Sequence, residues 1–140
     1  MRKILATGLV LLSLQATASP PPFTGPDYSG RYQCSGHDSH GGDFQGIIEF
    51  KLEAAQSTGT HGAYTFSMTL ADQSRYTGFA ASAPKALALY FAHDDPKLQD
   101  HGVGIAEVET DQDGRHRLSK YYYTPHLAGG GHGLEQCQAL

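Results

Sequence analysis

Alternation of apolar and polar positions with a period of two dominates the chain. Ile48, Phe50 and Leu52 alternate with Glu49, Lys51 and Glu53, and Tyr64, Phe66, Met68 and Leu70 alternate with Thr65, Ser67 and Thr69. Such runs build strands with one buried and one wet face. Turn signals divide the sequence into eight predicted strands, at 30–35, 44–54, 62–70, 75–82, 86–92, 103–110, 115–123 and 133–138. Between them lie Gly41-Gly42, Ser57-Thr58-Gly59, Asp72-Gln73, Ala83-Pro84-Lys85, Asp94-Asp95-Pro96, Asp113-Gly114 and Gly129-Gly130-Gly131, all suited to chain reversal. Ala86-Leu87-Ala88-Leu89 has helical composition, but Tyr90-Phe91 follows it and Pro84 and Pro96 bracket it, so it reads as a strand. Asp111-Gln112-Asp113-Gly114 lacks the later ligands of a calcium loop and reads as a hairpin turn.

Eight short strands with mostly tight connections predict an all-β, antiparallel, up-and-down barrel, with a Greek-key sandwich as the alternative; such a barrel resembles the calycin-like proteins in architecture. The two cysteines support closure. Cys34 and Cys137 stand 103 positions apart with none between, and a disulfide between them requires the first and last strands to be neighbours. Small residues at lining positions (Gly78, Ala80, Gly104 and Ala106) allow the interior to taper or to leave a cavity beside residues such as Phe50 and Phe66.

The ends of the chain set the compartment. Arg2 and Lys3, the apolar stretch Ile4 to Leu14 and the small-x-small triplet Ala16-Thr17-Ala18 predict a signal peptide over 1–18 and an exported, periplasmic or secreted protein. The apolar run is shorter than the ~20 residues of a membrane-spanning helix, so no membrane anchor is expected. A Pro-rich segment, 19–28, reads as an extended spacer before a single barrel domain over 29–140. Without Arg2 and Lys3, eight of the ten basic residues face 14 acidic ones, a net charge of −6. That balance excludes a nucleic-acid partner and favours a cationic one.

Histidine changes the picture next. In an up-and-down barrel the first, third, fifth and seventh connections share one mouth. The predicted strands put His37 and His40 in the first, His93 and His101 in the fifth, and His126 and His132 in the seventh. Asp38, Asp43, Asp94, Asp95 and Asp100 accompany them, in connections expected to be the longer ones. This His/Asp-rich end is the expected binding surface. Imidazole and carboxylate suit zinc, copper or nickel, with His37, His40 and His101 as the candidate ligands. Solvated polar loops, or a surface that gains charge below the histidine pKa of ~6.5, are the other readings. There is no GxSxG elbow and no HExxH pair, and the thiols are committed to each other, so no catalytic residue is assigned and no cofactor is required.

Tyr32-Gln33-Cys34 near the start, Cys137 near the end and the leader resemble the periplasmic C-type lysozyme inhibitors, small eight-stranded barrels with an early Y-x-C and a late cysteine. That family carries a serine-glycine-x-x-tyrosine loop that enters the lysozyme cleft. By position its counterpart is Ser74-Arg75-Tyr76, which lacks the glycine and is one residue short. Ser29-Gly30-Arg31-Tyr32 has similar letters in the wrong place, and the chain contains no tryptophan. The resemblance covers the two ends and the architecture. It implies an inhibitor of a cell-wall enzyme acting through Ser74, Arg75 and Tyr76 on a cationic partner. Lipocalins and avidins, which share the barrel, imply instead a small ligand in the lumen.

Overall fold

The computed structural model describes residues 19–126 and 129–140; the leader over 1–18 lies outside them. Eight strands form a closed antiparallel barrel in sequence order: β1 (Gly30–Asp38), β2 (Gly42–Leu52), β3 (Ala63–Leu70), β4 (Arg75–Ala83), β5 (Ala86–His93), β6 (His101–Thr110), β7 (His116–Thr124) and β8 (Gly131–Ala139). Strands β1 and β8 pair antiparallel with Cys34 opposite Cys137, and the two are joined by a disulfide on the lumen side. The predicted closed, antiparallel eight-stranded barrel is therefore the observed one, and the strand expected at 86–92 runs over 86–93. In the chain-entropy view, a bond closing so long a loop contributes ~4–5 kcal/mol.

Alternation assigns every lumen position. Tyr32, Cys34 and Gly36 on β1, Ile48 and Phe50 on β2, Tyr64, Phe66 and Met68 on β3, and Leu118, Lys120 and Tyr122 on β7 all face inward. One end is shut. Tyr28, Tyr32, Phe50 and Tyr64 fill it, with Phe50 in edge contact with Tyr32 (5.8 Å) and Tyr64 (6.2 Å).

The Pro-rich segment is not a free spacer. Phe23 forms a parallel bridge with Gly59, and Tyr28 is buried in the core. The Tyr28 carbonyl accepts from the Tyr32 hydroxyl (2.9 Å), and its own hydroxyl accepts from the Lys85 N–H (3.1 Å). Burial, aided by Tyr64 and Asp27, pushes the Tyr32 hydroxyl up to about 12, so it stays a donor there.

Strands reach further into the histidine-bearing end than the turn signals indicated. Asp38 ends β1, Gly42 with φ +76° opens β2, and only 39–41 remain between them. A side-chain turn makes this possible, because Asp38 Oδ1 accepts from the N–H groups of His40 and Gly41 (both 2.8 Å). His37, Asp43, His93, His101 and His132, expected in loops, consequently lie on strands. The longest connection, 53–62, belongs to the shut end rather than the open one.

Candidate functional site

The other end is open. A cavity of about 1030 Å³ runs from the mouth down to Phe66, Lys120 and Glu135, at the upper end of the ~300–1,000 Å³ of ordinary ligand pockets.

Its walls are aromatic because of a repeated local arrangement. Phe44 stands opposite Gly36, Phe91 opposite Gly102 and Tyr122 opposite Gly133, each on the neighbouring strand. The missing side chain of each glycine leaves the space that its partner's ring occupies. A Cβ on Gly36 would come within 2.5 Å of the Phe44 ring, one on Gly102 within 2.7 Å of Phe91, and one on Gly133 within 2.3 Å of Tyr122. The rings thus lie along the wall instead of crossing the lumen. Phe91 touches Tyr76 and Tyr122 edge-on, with centroids 6.0 and 5.8 Å away, and Tyr122 meets Phe44 at 6.3 Å.

Both tyrosines point their hydroxyls at carboxylates on the rim. Tyr76 donates to Asp100 Oδ2 and Tyr122 to Asp38 Oδ2, each at 2.7 Å. Burial first, then these bonds and the neighbouring negative charge, raise both phenols well above their ordinary range, so they remain protonated donors. For Asp38, burial acts to raise the pKa. The Gly41 N–H, the Tyr122 hydroxyl and the His40 N–H outweigh it and hold the carboxylate below its usual value.

At the base of the cavity Lys120 pairs with Glu135, both almost fully buried, and the ammonium lies 5.8 Å from the Phe66 ring centre and 5.6 Å from that of Tyr122. Lys120 balances Glu135, while Asp38, Asp43, Asp72 and Asp100 leave the remainder of the lining negative. Two buried polar atoms on the same lining, Asp100 Oδ1 and Thr124 Oγ1, have no hydrogen-bond partner among the described residues. Buried polar atoms are nearly always satisfied, so these mark where a polar ligand group would be held.

The predicted site residues separate into three sets. Asp38 and Tyr76 belong to the lumen site, and His37, His40 and Asp43 border it at the rim. His93, Asp94, Asp95, His101, His126, His132, Ser74 and Arg75 are at the same end but do not line the cavity. His37 is on the outer face, its Nδ1 2.7 Å from Asp43 Oδ1 in a pair almost wholly in water, and His132 also faces outward. His93 packs edge-on against Tyr76 (5.1 Å) while its Nδ1 accepts from the Asp95 N–H (2.9 Å). The rings of His101 and His126 lie 4.3 Å apart. Arg75 contacts Asp94 (3.7 Å) on the outer lip.

The suggested ligand set of His37, His40 and His101 does not converge. Among the described residues, the three-ligand cluster is Cys34, Glu135 and Cys137, whose sulfurs are bonded to each other. Strand geometry is the reason, since His37 and His101 sit at outward positions on β1 and β6, strands that are not neighbours. Sequence reasoning passed over Lys120, Glu135, Phe44 and Phe91. The signal was present: Lys120 lies in register with Leu118 and Tyr122, and Glu135 with Cys137, so each is a charge at an inward position. No protein-family model matches this chain, and no curated protein matches it in sequence.

Proposed function

We propose that the protein is an exported, non-enzymatic binding protein that takes a small organic cation with an apolar body into the barrel lumen. The observation that carries this reading is the composition of one cavity: an aromatic wall under a carboxylate rim that carries no Lys or Arg of its own, with Asp100 Oδ1 and Thr124 Oγ1 left to pair with a guest. An ammonium group near Tyr76, Phe91 and Tyr122 gains both Coulomb and cation–π attraction, worth ~0.5–2 kcal/mol for the latter. The Tyr–Asp bonds hold the carboxylates in place before the ligand arrives, which lowers the ordering cost of binding. Export fits the Cys34–Cys137 bond, which persists in oxidising compartments.

The test is calorimetry with matched sets of aryl-alkyl ammonium ions, neutral alcohols and carboxylates of equal size. Saturable binding confined to the ammonium series, weakened at least about tenfold by Asp38→Asn or Asp100→Asn, supports the reading. Equal binding of alcohols or a preference for carboxylates overturns it.

One observation favours a second reading, inhibition of a cationic cell-wall enzyme. Ser74 and Arg75 stand on the lip beside Tyr76, on the acidic end, where a protein partner would contact them. Lysozyme activity assayed with the purified chain and with Arg75→Ala separates the two readings, because a lumen ligand does not depend on Arg75.

A further inference from the structure

The outside of the barrel has two unlike halves. On β1–β3 outward positions carry Arg31, His37, Asp43, Glu49 and Lys51 among hydroxyl and amide side chains, with Ile47, half-buried, the one large apolar residue. On β4–β8 they carry exposed apolar groups in register. Phe79 pairs with Tyr90, Tyr90 with Val103 and Val103 with Tyr123, forming one row across four strands. Directly beside it Ile105 pairs with Tyr121 and Tyr121 with Leu134. These groups are well exposed, Phe79 at 62%, Val103 at 57%, Ile105 at 63% and Leu134 at 65%.

We infer that this belt is the interface of a homodimer, with a second copy of the chain as its occupant. Area is the first argument. Seven such side chains, each leaving on the order of 100 Å² in water, offer about 700 Å². The largest apolar patch on a typical monomer is ~300–600 Å², and a stable interface needs ~800 Å² per partner. Charge is the second. The chain is acidic, so two copies repel wherever their carboxylates meet, and the belt itself carries no ionisable group that is charged at neutral pH. It also has no Lys or Arg for an anionic membrane surface.

Topology is the third argument. Barrel closure leaves no strand edge to pair, so association has to use a face. The belt lies on the side wall and leaves the mouth of each copy open.

Sedimentation velocity of the purified, oxidised chain over a micromolar concentration series tests the inference. The expected result is a dimer whose dissociation constant rises at least ~100-fold in Ile105→Lys. Leu134→Lys, at a more exposed position, gives the same weakening if Ile105→Lys fails to fold, while Ser67→Lys on β3 leaves the dimer intact. A monomer at every concentration overturns the inference, as does a dimer indifferent to both belt substitutions. Flotation of a monomeric chain with phosphatidylglycerol vesicles also overturns it and assigns the belt to lipid.

Discussion

The two ends of this barrel are built from the same residue types and behave in opposite ways. Tyr28, Tyr32 and Tyr64 at one end and Tyr76 and Tyr122 at the other all face inward among phenylalanines. The difference is in what their hydroxyls meet. At the shut end the partners are backbone groups of the N-terminal segment and the 84–85 turn: the Tyr28 carbonyl, the Pro26 carbonyl and the Lys85 N–H. These bonds pull the chain across the lumen and seal it. At the open end the partners are Asp38 and Asp100, whose charges need solvent or a counter-charge. A tyrosine tied to backbone closes a barrel, whereas one tied to a carboxylate keeps the rim wet and the cavity accessible.

The sharpest way to break this comparison is Tyr28→Ala. It removes a buried ring together with the hydroxyl that accepts from the Lys85 N–H, and large-to-small changes of this kind cost about 3–5 kcal/mol. Urea denaturation should show that loss, while the folded fraction binds ligand as before. A loss below about 1 kcal/mol, or abolished binding in a folded variant, would mean that the ends are not independent.

The boundary between the halves is the Lys120–Glu135 pair. Lys120→Met leaves Glu135 buried without its partner, and breaking a buried pair costs about 3–5 kcal/mol. The double variant Lys120→Met, Glu135→Gln removes both charges and should recover more than half of that loss. A double variant as unstable as the single would show that Lys120 acts through its contacts with the Phe66 and Tyr122 rings instead.

These residues also show which parts of the molecule the sequence made legible. Alternation plus two lone cysteines determined strand number, order and closure, because both signals depend only on period and on one covalent link. The site was half legible. Asp38 and Tyr76 were singled out, but Asp38 as part of a polar loop and Tyr76 as the counterpart of an inhibitor motif rather than as lumen residues. The turn at 39–41 is shorter than its glycines suggested because the Asp38 side chain replaces a backbone turn, and that extension of β1 and β2 decides which side chains face the lumen. One position of register separates outward His37 from inward Asp38. The histidines attracted attention through the connections they were assigned to, whereas Lys120 and Glu135 were informative by phase alone. The burial of Tyr28 was hidden by the prolines before it, which gave no sign of where the segment ends.

A smaller change sharpens the open end. Gly133→Ala puts a methyl group where the end of the Tyr122 ring now lies. The ring can rotate toward the lumen, so the stability cost is modest, about 1–3 kcal/mol as for other overpacking. The consequence for the site is larger, since rotation separates the Tyr122 hydroxyl from Asp38. Ligand affinity should therefore fall more than stability does, and more than in Gly41→Ala, which meets only the Asp38 side chain at 3.7 Å or beyond. Equal losses of affinity in the two variants would detach the glycine–aromatic arrangement from binding.

The smallest effect is acid sensitivity, and its sign follows from Asp38. The folded protein holds this carboxylate below its ordinary range, so the unfolded chain binds the proton more readily. The associated stability is fully present above the unfolded value of ~3.9 and is lost as pH falls through the lower folded value. Wild type and Asp38→Asn should thus differ by a constant amount between about pH 7 and pH 5, and converge only below about pH 4. Thermal midpoints of both proteins across that range measure the gap. If it already changed between about pH 7 and pH 5, a group other than Asp38 would set it. The open end would then not be governed by the Tyr122–Asp38 bond inside it, and the contrast between the two sets of tyrosines would no longer explain why one end is open.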